Sequence, residues 1–136
     1  MISFTIGQVA KQAGVGVETV RYYEREGLLE QAKRKASGYR QFDERVIDRL
    51  RFIRRAKELG FTLKEIKELI HMQVDPTITC VDVKSRAEIK IIDIENRIRS
   101  LQKMKKALVK LAKTCEGKGP ASDCVILESL QPEKNN

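Results

Sequence analysis

Three cysteines carry the most distinctive chemistry of this 136-residue chain. Cys80 opens a long apolar-periodic stretch that runs to Leu111, and Cys115 and Cys124 bracket the loop that follows. Reduced thiols in such places suit two chemistries, ligation of a soft metal ion and reversible oxidation. Their spacing decides how they could meet. A continuous helix from Cys80 to Cys115 would hold those thiols roughly 50 Å apart, at about 1.5 Å per residue. One chain cannot gather all three on one ion. Two chains can, if their helices pair antiparallel, because the start of one then lies beside the end of the other. Such a two-fold dimer carries a site at each end. The competing reading makes each cysteine a small buried hydrophobe, which gives no reason for their placement at the two ends of one helix.

The helix that must position these thiols has apolar or small residues at 80, 83, 87, 91, 94, 98, 101, 104, 108, 111 and 115. Steps alternating between three and four form a coiled-coil seam, and the residues off the seam are mostly charged. No second helix of comparable length exists to cover it, so a copy of the chain is the expected partner. Past Cys124, Val125 to Leu130 reads as a short amphipathic helix that packs back and closes the cysteine loop.

Bulk composition narrows the classes further. The net charge is +8 with a pI near 9.5, which points to a polyanionic partner. Charged residues make up 34% of the chain, favouring solvated helices over a thick core. The first residues lack the apolar core of a signal peptide, and no run is long enough to span a membrane. An odd cysteine count without a secretory context argues against a disulfide framework, so the expected setting is the cytoplasm. With one histidine, no Ser/His/Asp or Cys/His pairing and no phosphate-binding glycine loop, an enzyme is not expected.

The first half reads as short helices. Residues 3–13 form one, with Thr5 as N-cap, and Gly14-Val15-Gly16 breaks it. A second starts at Val17 and stops at Gly27. Two short helices across a glycine-containing turn make the helix-turn-helix pattern, whose second helix enters the major groove. On it, Thr19, Arg21, Tyr22 and Arg25 can reach phosphates or base edges, while Tyr23 is the expected core member. After a basic, irregular-looking run from Gln31 to Ser37, Gly38-Tyr39-Arg40-Gln41-Phe42 reads as a turn into a short strand, a wing with Tyr39 and Arg40 on it. A periodic helix follows from an Asp43 cap to Gly60; its basic outer face is mostly solvated, with one or two arginines able to flank a phosphate. Thr62 and Glu65 form a capping box for the next helix. His71 is expected at its surface, and Gln73 to Thr79 links the modules.

These stretches together resemble the MerR family of dimeric transcription regulators over nearly the whole chain. The resemblance rests on Ile6-Gly7-Gln8-Val9-Ala10, on Val17 to Leu29 (VETVRYYEREGLL), on Gly38-Tyr39-Arg40, and on Glu58-Leu59-Gly60-Phe61-Thr62-Leu63 with Glu65-Ile66. It implies a mainly α fold: a winged helix-turn-helix domain over 1–74, a linker and antiparallel coiled-coil dimerisation helix over 75–113, and a metal-binding loop, short helix and tail over 114–136. It implies a homodimer on double-stranded operator DNA that presents a distorted promoter to RNA polymerase. Val17, Thr19, Arg21, Tyr22, Tyr39 and Arg40 fall in the DNA-contacting set. Cys80, Cys115 and Cys124 match the metal-responsive branch, where one protomer gives the first cysteine and its partner the other two. Three thiolates suit Hg(II), whereas zinc favours four ligands. The loop Gly117-Lys118-Gly119-Pro120 also resembles broadly heavy-metal-responsive members, which keeps Pb(II), Cd(II) and Zn(II) as alternative effectors. A thiol redox sensor on the same scaffold is the remaining alternative; only Lys113 and Lys118 stand near enough in sequence to favour a thiolate.

Overall fold

Local hydrogen bonds made by short polar side chains set where the first helices begin. In the computed structural model, which describes residues 3–30, 33, 34 and 40–132, helix α1 spans Ile6–Ala13. Thr5 Oγ1 accepts from the Gln8 amide at 3.2 Å while Gln8 Oε1 accepts from the Thr5 amide at 2.9 Å, a reciprocal capping box. Residues 3 and 4 stay outside the helix. Phe4 instead exchanges two backbone hydrogen bonds with Phe42, at 2.7 and 2.8 Å. Helix α2 (Val17–Arg25) follows the Gly14–Gly16 turn, with Glu26 as its C-cap.

A two-stranded antiparallel ribbon comes next, β1 (Lys33–Arg34) against β2 (Arg40–Gln41), with Lys33 opposite Gln41 and Arg34 opposite Arg40. The run expected to be irregular therefore supplies the first strand of the wing. Tyr39, expected on the wing, lies outside the described residues. Helix α3 (Glu44–Glu58) starts at Asp43, whose carboxylate accepts from the Arg45 amide at 2.9 Å. The side-chain hydrogen bond from Arg45 holds that carboxyl below the usual range. Helix α4 (Leu63–Val74) carries the Thr62–Glu65 capping box and runs two residues into the expected linker.

The chain forms two compact units, Met1–Arg86 and Ala87–Asn136. In the first, α1, α2 and α3 enclose one core. Val9, Val20, Leu50, Ile53 and Ile66 are fully buried, each contributing about 1.5–3 kcal/mol of transfer free energy. Tyr23 is buried and Tyr22 exposed, their rings 5.7 Å apart, as the helical spacing requires. Arginines of α3 fasten the end of α1: Arg51 Nη2 donates to the Gln12 carbonyl at 3.3 Å, and Arg54 Nη1 to those of Ala13 and Gly14 at 3.4 and 3.3 Å. These bonds satisfy carbonyls that the helix end leaves open.

Helix α5 (Cys80–Thr114) is continuous over 35 residues. In the second unit its seam residues Ile91, Ile94, Ile98, Leu101, Met104 and Leu108 are 39–62% exposed. A single-turn 3-10 helix (Ala121–Asp123) and helix α6 (Val125–Ser129) complete the chain. The expected packing back of this last helix is not what the structure shows, since Val125, Leu127 and Leu130 stay exposed and only Ile126 is half-buried.

Gly14 sits at φ 71°, and a Cβ there would push aside the Arg54 guanidinium and break its bonds to the Ala13 and Gly14 carbonyls, whereas Gly27 at φ 77° faces open space. Gly14→Ala is therefore expected to destabilise the first unit by more than the about 1 kcal/mol of left-handed strain that Gly27→Ala incurs. Urea unfolding of the two variants checks the order.

Candidate metal centre and nucleic-acid interface

The cysteines are free, Cys80 exposed and Cys115 and Cys124 partly buried. Cys80 is the first residue of α5. Its position is fixed from the preceding turn, where the Asp82 carboxylate accepts from the Thr79 amide at 2.9 Å and the Thr79 hydroxyl at 3.2 Å. The pattern Thr-x-x-Asp signals such a start and is legible in the chain. Cys115 follows the last residue of the same helix and stays tied to it, its amide donating to the Leu111 carbonyl at 3.2 Å.

The loop after Cys115 turns through Gly117 and Gly119, both at positive φ, and the 3-10 turn then returns the chain. The result brings Cys124 near Cys115, close enough for one thiol to influence the other. Cys124 also precedes α6, and the backbone N–H groups of Leu127 and Ile126 bear on its sulfur. No geometrically complete capping bond forms, so the influence is one of partial positive charge at the sulfur. These amides, chiefly that of Leu127, hold the Cys124 thiol below the ordinary range against the opposing effect of burial, and Cys115 adds a smaller push downward. The groups that favour a thiolate are thus main-chain amides, not the expected lysines. The expected helix start at Val125 is met, but how closely its first amides approach the Cys124 sulfur is geometry that residue spacing does not give.

Two soft donors with one biased toward its thiolate form can grip a thiophilic ion. Among the described residues of one chain, no three His, Cys, Asp or Glu side chains gather into a group able to hold a metal. His71 is exposed on α4 and joins no such group.

On the recognition side, α2 presents Arg21 and Tyr22 outward, with Thr19 half-buried. Val17 packs partly against the core and so anchors the start of the helix. Arg21 Nη1 lies 2.6 Å from Glu18 Oε1, an exposed pair one turn apart. Arg21, Glu24 and Arg25 line a cavity of about 280 Å³ with Ile6. Arg40 lies in β2, on the wing.

Residues 4–73 match the MerR HTH family regulatory proteins, and residues 47–111 match the MerR DNA-binding family. The chain is 38% identical over 129 residues to the mercuric resistance operon regulatory protein of Bacillus cereus, covering 95% of this chain and 98% of that protein. Among solved structures it is similar to a transcription regulator of Ralstonia metallidurans in complex with lead(II), with TM-score 0.81, 33% identity, and coverage of 94% and 99%. It is also similar to the mercury(II) complex of the dual-function regulator MerR from Bacillus megaterium, with TM-score 0.70, 38% identity, and coverage of 93% and 98%.

The lowered Cys124 thiol has a direct consequence for reactivity. In a Cys80→Ala/Cys115→Ala chain, alkylation of Cys124 by iodoacetamide is expected to reach half its limiting rate below pH about 8.5, the ordinary thiol value. The thiolate is present above the lowered pKa and disappears as pH falls through it. A midpoint at or above the ordinary value would remove the amide effect.

Proposed function

Because the chain belongs to the MerR family of helix-turn-helix transcription regulators, we propose that it is a cytoplasmic, homodimeric metal sensor that switches transcription on binding Hg(II). The observation that carries this reading is the convergence of Cys115 and Cys124 at one end of α5 while Cys80 begins the other. An antiparallel partner brings its own Cys80 to that pair, and the uncovered apolar seam gives the two helices a reason to associate. Three sulfurs form the donor set. Mercury(II), soft and content with few ligands, fits it better than zinc, which favours four. The ion would supply a cross-link between protomers.

Lead(II) is the second reading, favoured by the similarity to the lead(II)-bound regulator; Cd(II) and Zn(II) belong to the same test. On the DNA side, Thr19, Arg21 and Tyr22 of α2 meet the major groove, with Val17 setting the helix start and Tyr39 and Arg40 serving the wing. The regulator acts on its operator with RNA polymerase bound, changing the shape of the promoter more than its occupancy.

Titration of the reduced protein with each of the four ions, against a competing small thiol, tests the metal. Hg(II) retained alone at one ion per three thiolates supports mercury, and equal retention of Pb(II) shifts the assignment to lead. Site sharing has its own test. Mixing Cys80→Ser chains with Cys115→Ser/Cys124→Ser chains is expected to restore one complete site per heterodimer, and a site built within one protomer would be restored in none. Arg21→Ala is expected to weaken binding to an operator selected from random duplexes roughly 5- to 100-fold, with metal stoichiometry unchanged. Unchanged affinity in a gel-shift titration would strike Arg21 from the contacts.

A further inference from the structure

We propose that Glu68 and Arg86 form a positioning strut that turns α4 into a lever between the cysteine-bearing helix and the DNA-reading helix. This rests on the metal-switch reading above and names the residues that carry its output. Glu68 Oε2 accepts from Arg86 Nη1 at 2.8 Å, joining α4 to the first turns of α5. Its neighbour Lys67 reaches the other way, with Nζ 3.6 Å from Oε2 of Glu26, the C-cap of α2. Adjacent residues of opposite charge thus take partners on two different helices.

The attachment of α4 explains why this matters. Its single fully buried residue is Ile66, immediately before the pair, with Leu63 and Ile70 only partly buried against the core. A helix pinned at one point can rock about it. The chain joins α4 to α5 through a short turn that is itself held, Asp75 Oδ1 accepting from the Thr77 amide at 2.9 Å and its hydroxyl at 2.7 Å. A covalent joint alone is a hinge, about which α5 could swing without turning α4. A second point of attachment, less than two helical turns beyond Cys80, removes that freedom. Displacement at Cys80 then becomes rotation of α4, and Lys67 delivers it to the end of α2. Every residue of this path lies within the first compact unit.

Both members of the strut are partly solvated, with side chains 48% and 37% exposed. The effect of losing it is therefore bounded to that of an exposed ion pair, about two- to five-fold. The test uses full-length wild type, Glu68→Gln, Arg86→Gln and the exchanged Glu68→Arg/Arg86→Glu chain. Three quantities are measured on each: Hg(II) retention against a competing thiol, metal-free operator affinity, and Hg(II)-dependent transcription by RNA polymerase in vitro. The single variants are expected to keep the first two within two-fold of wild type and to lose about two- to five-fold in induction. The exchanged chain is expected to regain it. Full induction in either single variant, induction that falls only in step with operator affinity, or no recovery in the exchanged chain would overturn the strut while leaving the metal switch intact. A wild-type chain that neither retains nor responds to Hg(II) would overturn the mercury assignment and, with it, the strut.

Discussion

A 35-residue helix whose apolar stripe is left largely exposed is the constraint on which the other features depend. Leaving Ile91, Ile98, Leu101 and Leu108 in water forfeits about 25 cal/mol for each Å² that a partner could cover. Association of two copies, as proposed, would remove that cost, and the alternation of threes and fours along the seam suits another helix better than a sheet. Once two such helices run antiparallel, the location of the thiols stops being arbitrary. A cysteine at the first residue of the helix and a pair beyond its last would then be neighbours twice over, by symmetry.

The head follows a different economy. It is small, and its helices are short enough that their ends matter as much as their middles. Three of them begin at a side chain that accepts from the backbone, namely Thr5, Asp43 and Thr62, and one ends in carbonyls held by arginines from another helix. Such bonds fix the helices around α2, which itself starts without a side-chain cap, and they do so without demanding a large apolar volume. The Phe4–Phe42 exchange adds a backbone clamp between the approach to α1 and the strand of the wing. The first unit is therefore built on hydrogen-bonded joints, which define direction more sharply than apolar contact does.

Much of this is legible in the residues, and the boundary of what is legible follows sequence distance. The Thr62–Glu65 box, the Gly27 stop and the burial of Tyr23 beside an exposed Tyr22 are determined within one or two helical turns, where pattern and outcome coincide. The Phe4 pairing joins partners far apart in the chain, and nothing in Ser3-Phe4 distinguishes a bridge from a helix start. Strand β1 is two residues in a run of lysines and arginines, too short for alternation to show. The candidate metal loop divides the same way. Its cysteines and the helix that follows them are plain from type and spacing, while the approach of that helix's first amides to the Cys124 sulfur is visible only in the folded loop. The exposure of Val125 and Leu127 depends on how the loop sets α6, which the local residue pattern does not record.

The pair between Arg21 and Glu18 also bears on ionic strength. A basic residue that enters a DNA complex normally expels a condensed cation from the phosphates it neutralises, and the sum of such events sets the slope of affinity against salt. If Arg21 meets the duplex as proposed, it arrives with a carboxylate partner. Were a phosphate to take the guanidinium, Glu18 would be left beside a polyanion and would recruit a cation of its own. One ion would leave and another arrive. Helix α2 would then place an arginine on DNA at little cost in salt sensitivity, and the basic richness of the chain would overstate how steeply its hold on DNA declines as salt rises.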